Sequence, residues 1–217
     1  MLIENSESQH LGGENMKKLI CGLLVFVLLM GGALGCSNKA EIPARGVWDG
    51  RTYTNTEAGI RFTVPEEYYI YSDEEIIKWR GYSDDYLKDV KSTVDYFDVY
   101  IKLETTESFS RMLIEYFISQ GKDTTTEQYL NLFKANNNTI TYDGEKRDKI
   151  FGEAVEKVIC GQTYTCCSST VDGVDDYYEV FCFRIISGNV VAYIGIRAEN
   201  EESVNAYLAF FDTTSVE

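Results

Sequence analysis

The residue pattern predicts an α+β fold: one antiparallel β-sheet with helices packed on its faces, preceded by a signal helix and a flexible tether. Two observations carry this. Gln162–Arg197 reads as three strand-like stretches joined by two short loops, which is an antiparallel meander. Elsewhere strand-like segments are separated by two amphipathic stretches that open on capping-box patterns, and a third follows the meander, so helices must cover the sheet.

Taken in order, Gly59–Pro65 (GIRFTVP) alternates apolar and polar residues and stops at a proline, as a strand does. Tyr68–Tyr71 predicts a second short strand. Ser72 with Glu75 three residues later forms a capping-box pattern before Ile76, Ile77 and Trp79, so Asp73–Arg80 is expected to be a helix. Ser83–Val90 adds a turn or two. Phe97–Leu103 alternates again, and with Phe109–Phe117 it predicts a hairpin across the polar break Glu104–Ser108. Thr124 with Glu127 is the next capping pattern, ahead of a helix over Thr125–Asn136 that the run Asn136–Asn138 ends. Thr139–Tyr142 and Ala154–Ile159 read as short strands on either side of a loop at Asp143–Asp148.

The meander then comprises Gln162–Val171, Asp176–Ile186 and Val190–Arg197. Asp172-Gly173 supplies a hairpin turn whose residues tolerate positive φ. A last helix starts at Glu201 or Glu202 and turns Val204, Tyr207, Leu208 and Phe211 inward.

The segment Lys17–Cys36 sets the expected location. Lys17 and Lys18 precede an apolar run, Leu19–Met30; small residues follow, and the chain turns polar after Cys36. A positive start, a short apolar core and small residues before the cut describe a secretory signal. A membrane-spanning helix needs about 20 apolar residues, longer than this run. Ala33-Leu34-Gly35-Cys36 resembles the lipobox of bacterial lipoproteins, with the usual leucine and small residue in reversed order. That resemblance implies cleavage before Cys36, acylation of its thiol, and residence on the outer face of the cytoplasmic membrane, with the bilayer held through the acyl chains. Met1–Asn15 carries three glutamates, which is wrong for a signal start. Translation is expected to begin at Met16. The expected organisation is thus an extension over 1–15, a signal over 16–35, a tether over 36–50 and a single domain over 51–217.

Composition excludes several functions. The net charge of −15 opposes nucleic acid phosphates. Aromatic residues make up 13% of the chain, which marks a folded domain rather than an acidic tail. The one histidine, His10, leaves with the signal, so Ser-His-Asp and Cys-His catalysis and imidazole-based zinc sites have no base or ligand. No phosphate loop or nucleophile elbow is present. No catalytic residue, metal site or cofactor is therefore expected, and the chain is read as a non-enzyme.

The acids Asp73, Glu74, Glu75, Asp84 and Asp85 read as a solvated face rather than a glycosidase pair. Asp172, Asp175 and Asp176 read as turn chemistry, since the distal glutamate of a calcium loop is missing. Cys160, Cys166, Cys167 and Cys182 are expected to be buried free thiols: with a tight turn at Asp172-Gly173, Cys182 falls out of register with Cys166. A disulfide from Cys160 is the alternative.

Gly46-Val47-Trp48-Asp49-Gly50, Tyr53-Thr54-Asn55, Gly59-Ile60-Arg61-Phe62, Val64-Pro65, Ser72–Glu75 and Gly161-Gln162-Thr163-Tyr164 resemble segments of small lipoproteins from anaerobic Gram-positive bacteria. Such proteins are similar to the PsbP-type fold, an antiparallel sheet flanked by helices that an extrinsic photosystem subunit and a Ran-binding import factor share. Their partners are unrelated, so the resemblance implies a fold and no site residue.

Three functions remain open. The first is a non-catalytic lipoprotein that binds a protein or envelope component. The second is a small-molecule or glycan receptor on the Tyr/Trp-rich first third, with Trp79, Tyr82 and Tyr86 as its candidate binding residues. The third is a carboxylate-dependent hydrolase. Core and half-buried strand positions, where tyrosine fits well, are the favoured reading of the tyrosines.

Overall fold

The computed structural model describes residues 41–83, 85–103, 110–119, 125–214 and 216. The signal, Cys36, Asp84, Phe109 and Thr124 lie outside the described residues. Among the described residues eleven strands and three α-helices follow one another: β1 (Val47–Asp49), β2 (Thr52–Asn55), β3 (Ile60–Thr63), β4 (Tyr68–Ile70), α1 (Asp73–Arg80), β5 (Asp95–Leu103), β6 (Arg111–Ile118), α2 (Thr126–Asn136), β7 (Thr139–Tyr142), β8 (Glu145–Ile159), β9 (Gln162–Val171), β10 (Val174–Ser187), β11 (Val190–Ala198) and α3 (Glu201–Leu208). Two short 3₁₀ turns, Tyr86–Lys88 and Val90–Ser92, lie between α1 and β5.

All described strand pairs are antiparallel. They form a three-stranded sheet, β1-β2-β3, and an eight-stranded sheet in the order β4-β5-β6-β11-β10-β9-β8-β7. The α+β class holds, and the second, smaller sheet is an addition to the single sheet expected. One face of the large sheet, with Tyr96, Met112, Ile114, Tyr116, Cys166, Ile194 and Ile196, shares a core with Tyr53, Ile60 and Phe62 of the small sheet and with Val204 and Tyr207 of α3. Phe62 stacks on Tyr53 and tilts against Phe211, which ties both layers to the chain after α3. On the opposite face Leu130 of α2 buries against Cys167, Phe181, Phe183 and Val191, with Tyr129 and Phe133 packed around them.

Local chemistry explains the elements. Ser72 caps α1 through a full capping box with Glu75, and Gly81 ends it in the left-handed region, φ 71°. The box at α2 is Thr125 with Gln128, one residue later than the Thr124–Glu127 pattern. A tight turn at Asp143-Gly144, both at positive φ, makes Glu145–Ile159 one continuous strand rather than a loop and a short strand.

The expected tether ends sooner than residue 50. Ile42 is buried, and Trp48 of β1 packs edge-on against Tyr53 and Phe62. Arg45 bridges Asp73 at 2.5 Å and Asp98 at 3.2 Å. Asp98 is the extra residue of a bulge in β5, between the pairs Phe97↔Glu115 and Val99↔Ile114. Its buried carboxylate accepts bonds from the Gly46 N–H at 3.0 Å and from the Tyr53 hydroxyl. The bulge thereby sends a polar side chain inward to fasten the first ten described residues.

The cysteine expectation is also corrected. Cys166 and Cys182 form a disulfide, while Cys160 and Cys167 are buried free thiols. The Asp172-Gly173 turn is present, but the register shifts between Val174 and Tyr178, where β10 carries three residues more than β9. That irregularity slides Cys182 directly opposite Cys166.

Candidate functional site

The three aromatic residues singled out in the sequence come together at the end of α1. Trp79 and Arg80 are its last two residues, and Tyr82 follows the Gly81 cap. Trp79 stands edge-on to Phe97 at 5.7 Å and tilts against Tyr100 at 4.6 Å; Tyr82 stacks on Tyr86 at 4.1 Å. The Tyr86 hydroxyl donates to the backbone oxygen and the carboxylate of Asp95, at 2.7 and 2.8 Å. These rings close on one another, so Tyr82 and Tyr86 do not offer a sugar two open faces. Trp79 is 37% exposed.

The residue at the centre, Arg80, entered the sequence reading only as the end of a helix. The Arg80 guanidinium lies 3.9 Å above the Phe97 ring and 5.6 Å from both the Trp79 and the Tyr82 rings. Its hydrogen bond among the described residues is long, from Nε to the Tyr82 hydroxyl at 3.5 Å, and it forms no ion pair among them. Ring quadrupoles hold this cation instead of a carboxylate.

In the sheet beneath, Glu115 of β6 stands opposite Phe97 of β5 and Tyr193 of β11. Glu115 is 6% exposed, without a hydrogen bond among the described residues. Burial pushes its carboxyl up to about 8; the Arg80 charge pulls the other way, and Asp95 adds to the rise. No sequence signal distinguishes this glutamate from the other acids. The alternation of β6 turns it away from Ile114 and Tyr116, to the face where Phe117 meets Tyr129 of α2. The site therefore combines three aromatic faces, a weakly tied cation and a buried carboxyl ready to ionise beside a positive charge.

A further polar cluster is structural. Glu179 of β10 accepts from Lys149 of β8 at 2.5 Å, from Arg197 of β11 at 2.6 Å and from the Ser169 hydroxyl at 3.3 Å. Burial would raise its carboxyl, but Arg197 and Lys149 outweigh burial and hold it down at about 2. A groove of about 280 Å³ runs between β8 and α3, with Val155, Cys166, Tyr178 and Val180 among its lining residues and Glu153, Lys157, Glu201 and Asn205 as polar members. Of the acids weighed for a hydrolase pair, Asp73 bonds Arg45, Glu75 bonds Tyr69 and the α1 cap, and Asp85 bonds Lys88; of the turn acids, Asp176 accepts from Tyr142. Among the described residues no group of three or more acids, cysteines or histidines could hold a metal ion. None of the described helices is long and apolar enough to cross a membrane.

No family model and no curated protein matches the sequence. Among solved structures, the chain is similar to the solution structure of cyanobacterial PsbP (CyanoP) from Synechocystis sp. PCC 6803. The two share 12% identity with a TM-score of 0.44, over 83% of this chain and 97% of that chain.

Proposed function

We propose that this chain is an exported lipoprotein, tethered through acyl chains on Cys36, whose domain is a non-catalytic binding module for a cation-bearing component of the cell envelope. One observation carries the binding reading: the Arg80 guanidinium rests on Phe97, Trp79 and Tyr82 without an ion pair among the described residues, and its charge acts on the buried carboxyl of Glu115. A surface that holds its own cation by ring faces and one long hydrogen bond suits an incoming guanidinium or ammonium group, which would displace Arg80 and gain Glu115 as a charged partner. Export is supported by the signal pattern and by the Cys166–Cys182 disulfide, a bond that persists in oxidising compartments.

The test is a fluorescence titration in a Trp48→Phe background, where Trp79 is the one tryptophan left. The probes are N-acetyl-arginine amide, tetramethylammonium and an N-acetylglucosamine oligomer. The cationic probes should give saturable changes that Glu115→Gln weakens and Arg80→Ala strengthens. Saturation by the sugar alone would favour the glycan reading, and no response to any probe would remove the aromatic site from the account.

A further inference from the structure

β8 is the longest described strand, and among the described residues its outer side is covered only at the start. β7 pairs with Glu145–Asp148, and the Lys149 N–H donates to Asn138. From Ile150 to Ile159 no main-chain bond reaches an outer neighbour among the described residues; one contact is the Lys134 ammonium on the Gly152 carbonyl. Ile150, Val155 and Val158 are 56%, 48% and 70% exposed along this edge. Open strand edges bind other strands unless something prevents it.

The register states which polar groups face outward. Cys166 and Cys182 stand 4.1 Å apart at Cα, the spacing of a pair that exchanges no main-chain hydrogen bonds. Cys166 therefore turns its N–H and C=O toward β8, where its partner is Val155. Val155 spends its own groups on β9. The outward groups belong to Ala154, Glu156 and Val158.

We infer that β8 pairs antiparallel with β8 of a second copy, about a two-fold axis through Val155. This register sets Val155 against its own mate in a close, non-hydrogen-bonded pair. It matches Ala154 with Glu156 of the second copy, and the reverse, so that both pairs exchange main-chain bonds. It also sets Glu153 opposite Lys157 of the second copy, twice. Glu153, Val155 and Lys157 line the same groove, so these charges meet on one face, flanking an apolar centre. Charge complementarity about Val155 thus selects a second copy as occupant; a shift of pairing by one residue would lose it. The bulge between Phe151 and Ala154 and the Lys134 contact close the ladder at its far end, so the pairing is short.

The test is oxidative cross-linking of full-length Val155→Cys, with the parent chain as control for its native thiols. The variant should form a covalent dimer. Lys157→Glu in that background should cut the yield about tenfold, and adding Glu153→Lys should restore it. Sedimentation of the unaltered chain over a concentration series should show reversible dimerisation that Lys157→Glu weakens. A Val155→Cys chain that does not cross-link, a yield indifferent to both charge changes, or a chain that sediments as a monomer throughout would overturn the pairing.

Discussion

Glu115 and Glu179 are both buried glutamates of one sheet, and their surroundings drive them in opposite directions. Glu115 has ring faces and no close cation bond, and burial raises its carboxyl to about 8. Unfolded, it ionises near about 4.3. The native state therefore keeps a proton that the unfolded chain loses, and stability falls as pH rises from about 4.3 to about 8, by up to about 1.4 kcal/mol per pH unit. Glu115→Gln should remove that slope, and the variant should be more stable than the parent at pH 8; denaturant midpoints at pH 5 and pH 8 measure it. Glu179 has the reverse sign. Arg197 and Lys149 overcome burial and hold it at about 2, so its contribution is intact above about 4.3 and lost as pH falls through about 2. Glu179→Gln leaves two buried cations poorly matched and should cost roughly 3–5 kcal/mol at neutral pH. A smaller loss in chemical denaturation would mean that the triad relaxes to reach water.

At the scale of elements, legibility followed the range of the signal. Ser72 and Glu75 are three residues apart, and the α1 cap they imply is present, as is the Asp172-Gly173 turn. The small sheet escaped notice because Val47–Asp49 and Thr52–Asn55 are too short to show alternation. The disulfide escaped because a correct turn does not guarantee register: the shift near Tyr177 changes which residues face each other, and the turn dipeptide carries no trace of it. Bulges at Asp98 and near Gly152 are equally silent. Cys166 and Cys182 are 16 apart in sequence, and closing a loop of about that size restricts the unfolded chain by roughly 3 kcal/mol. The double variant Cys166→Ala/Cys182→Ala should lower the melting temperature and make it insensitive to reductant. A reductant-insensitive parent would show that the bond does not form.

For the whole molecule, class was readable, and so were the β5–β6 hairpin and the β9-β10-β11 meander, but not how they join. Alternation, caps and turns all pointed to α+β, because each is set by neighbours in sequence. The order β4-β5-β6-β11-β10-β9-β8-β7, in which the last strand inserts beside β6, depends on contacts between distant residues and left no local mark. The same held for the candidate site. Trp79, Tyr82 and Tyr86 stood out as aromatics, but Arg80 and Glu115, on which the proposed cation site rests, became visible only when α1 docked on the sheet. In the proposed function this site belongs to an acidic, disulfide-bonded domain displayed outside the membrane. Peptide mapping by mass of the chain extracted from membranes tests that most directly. It should find an N-terminal Cys36 carrying acyl chains, with Cys166 linked to Cys182. A chain that retains the residues before Cys36, or an unmodified Cys36, would contradict it.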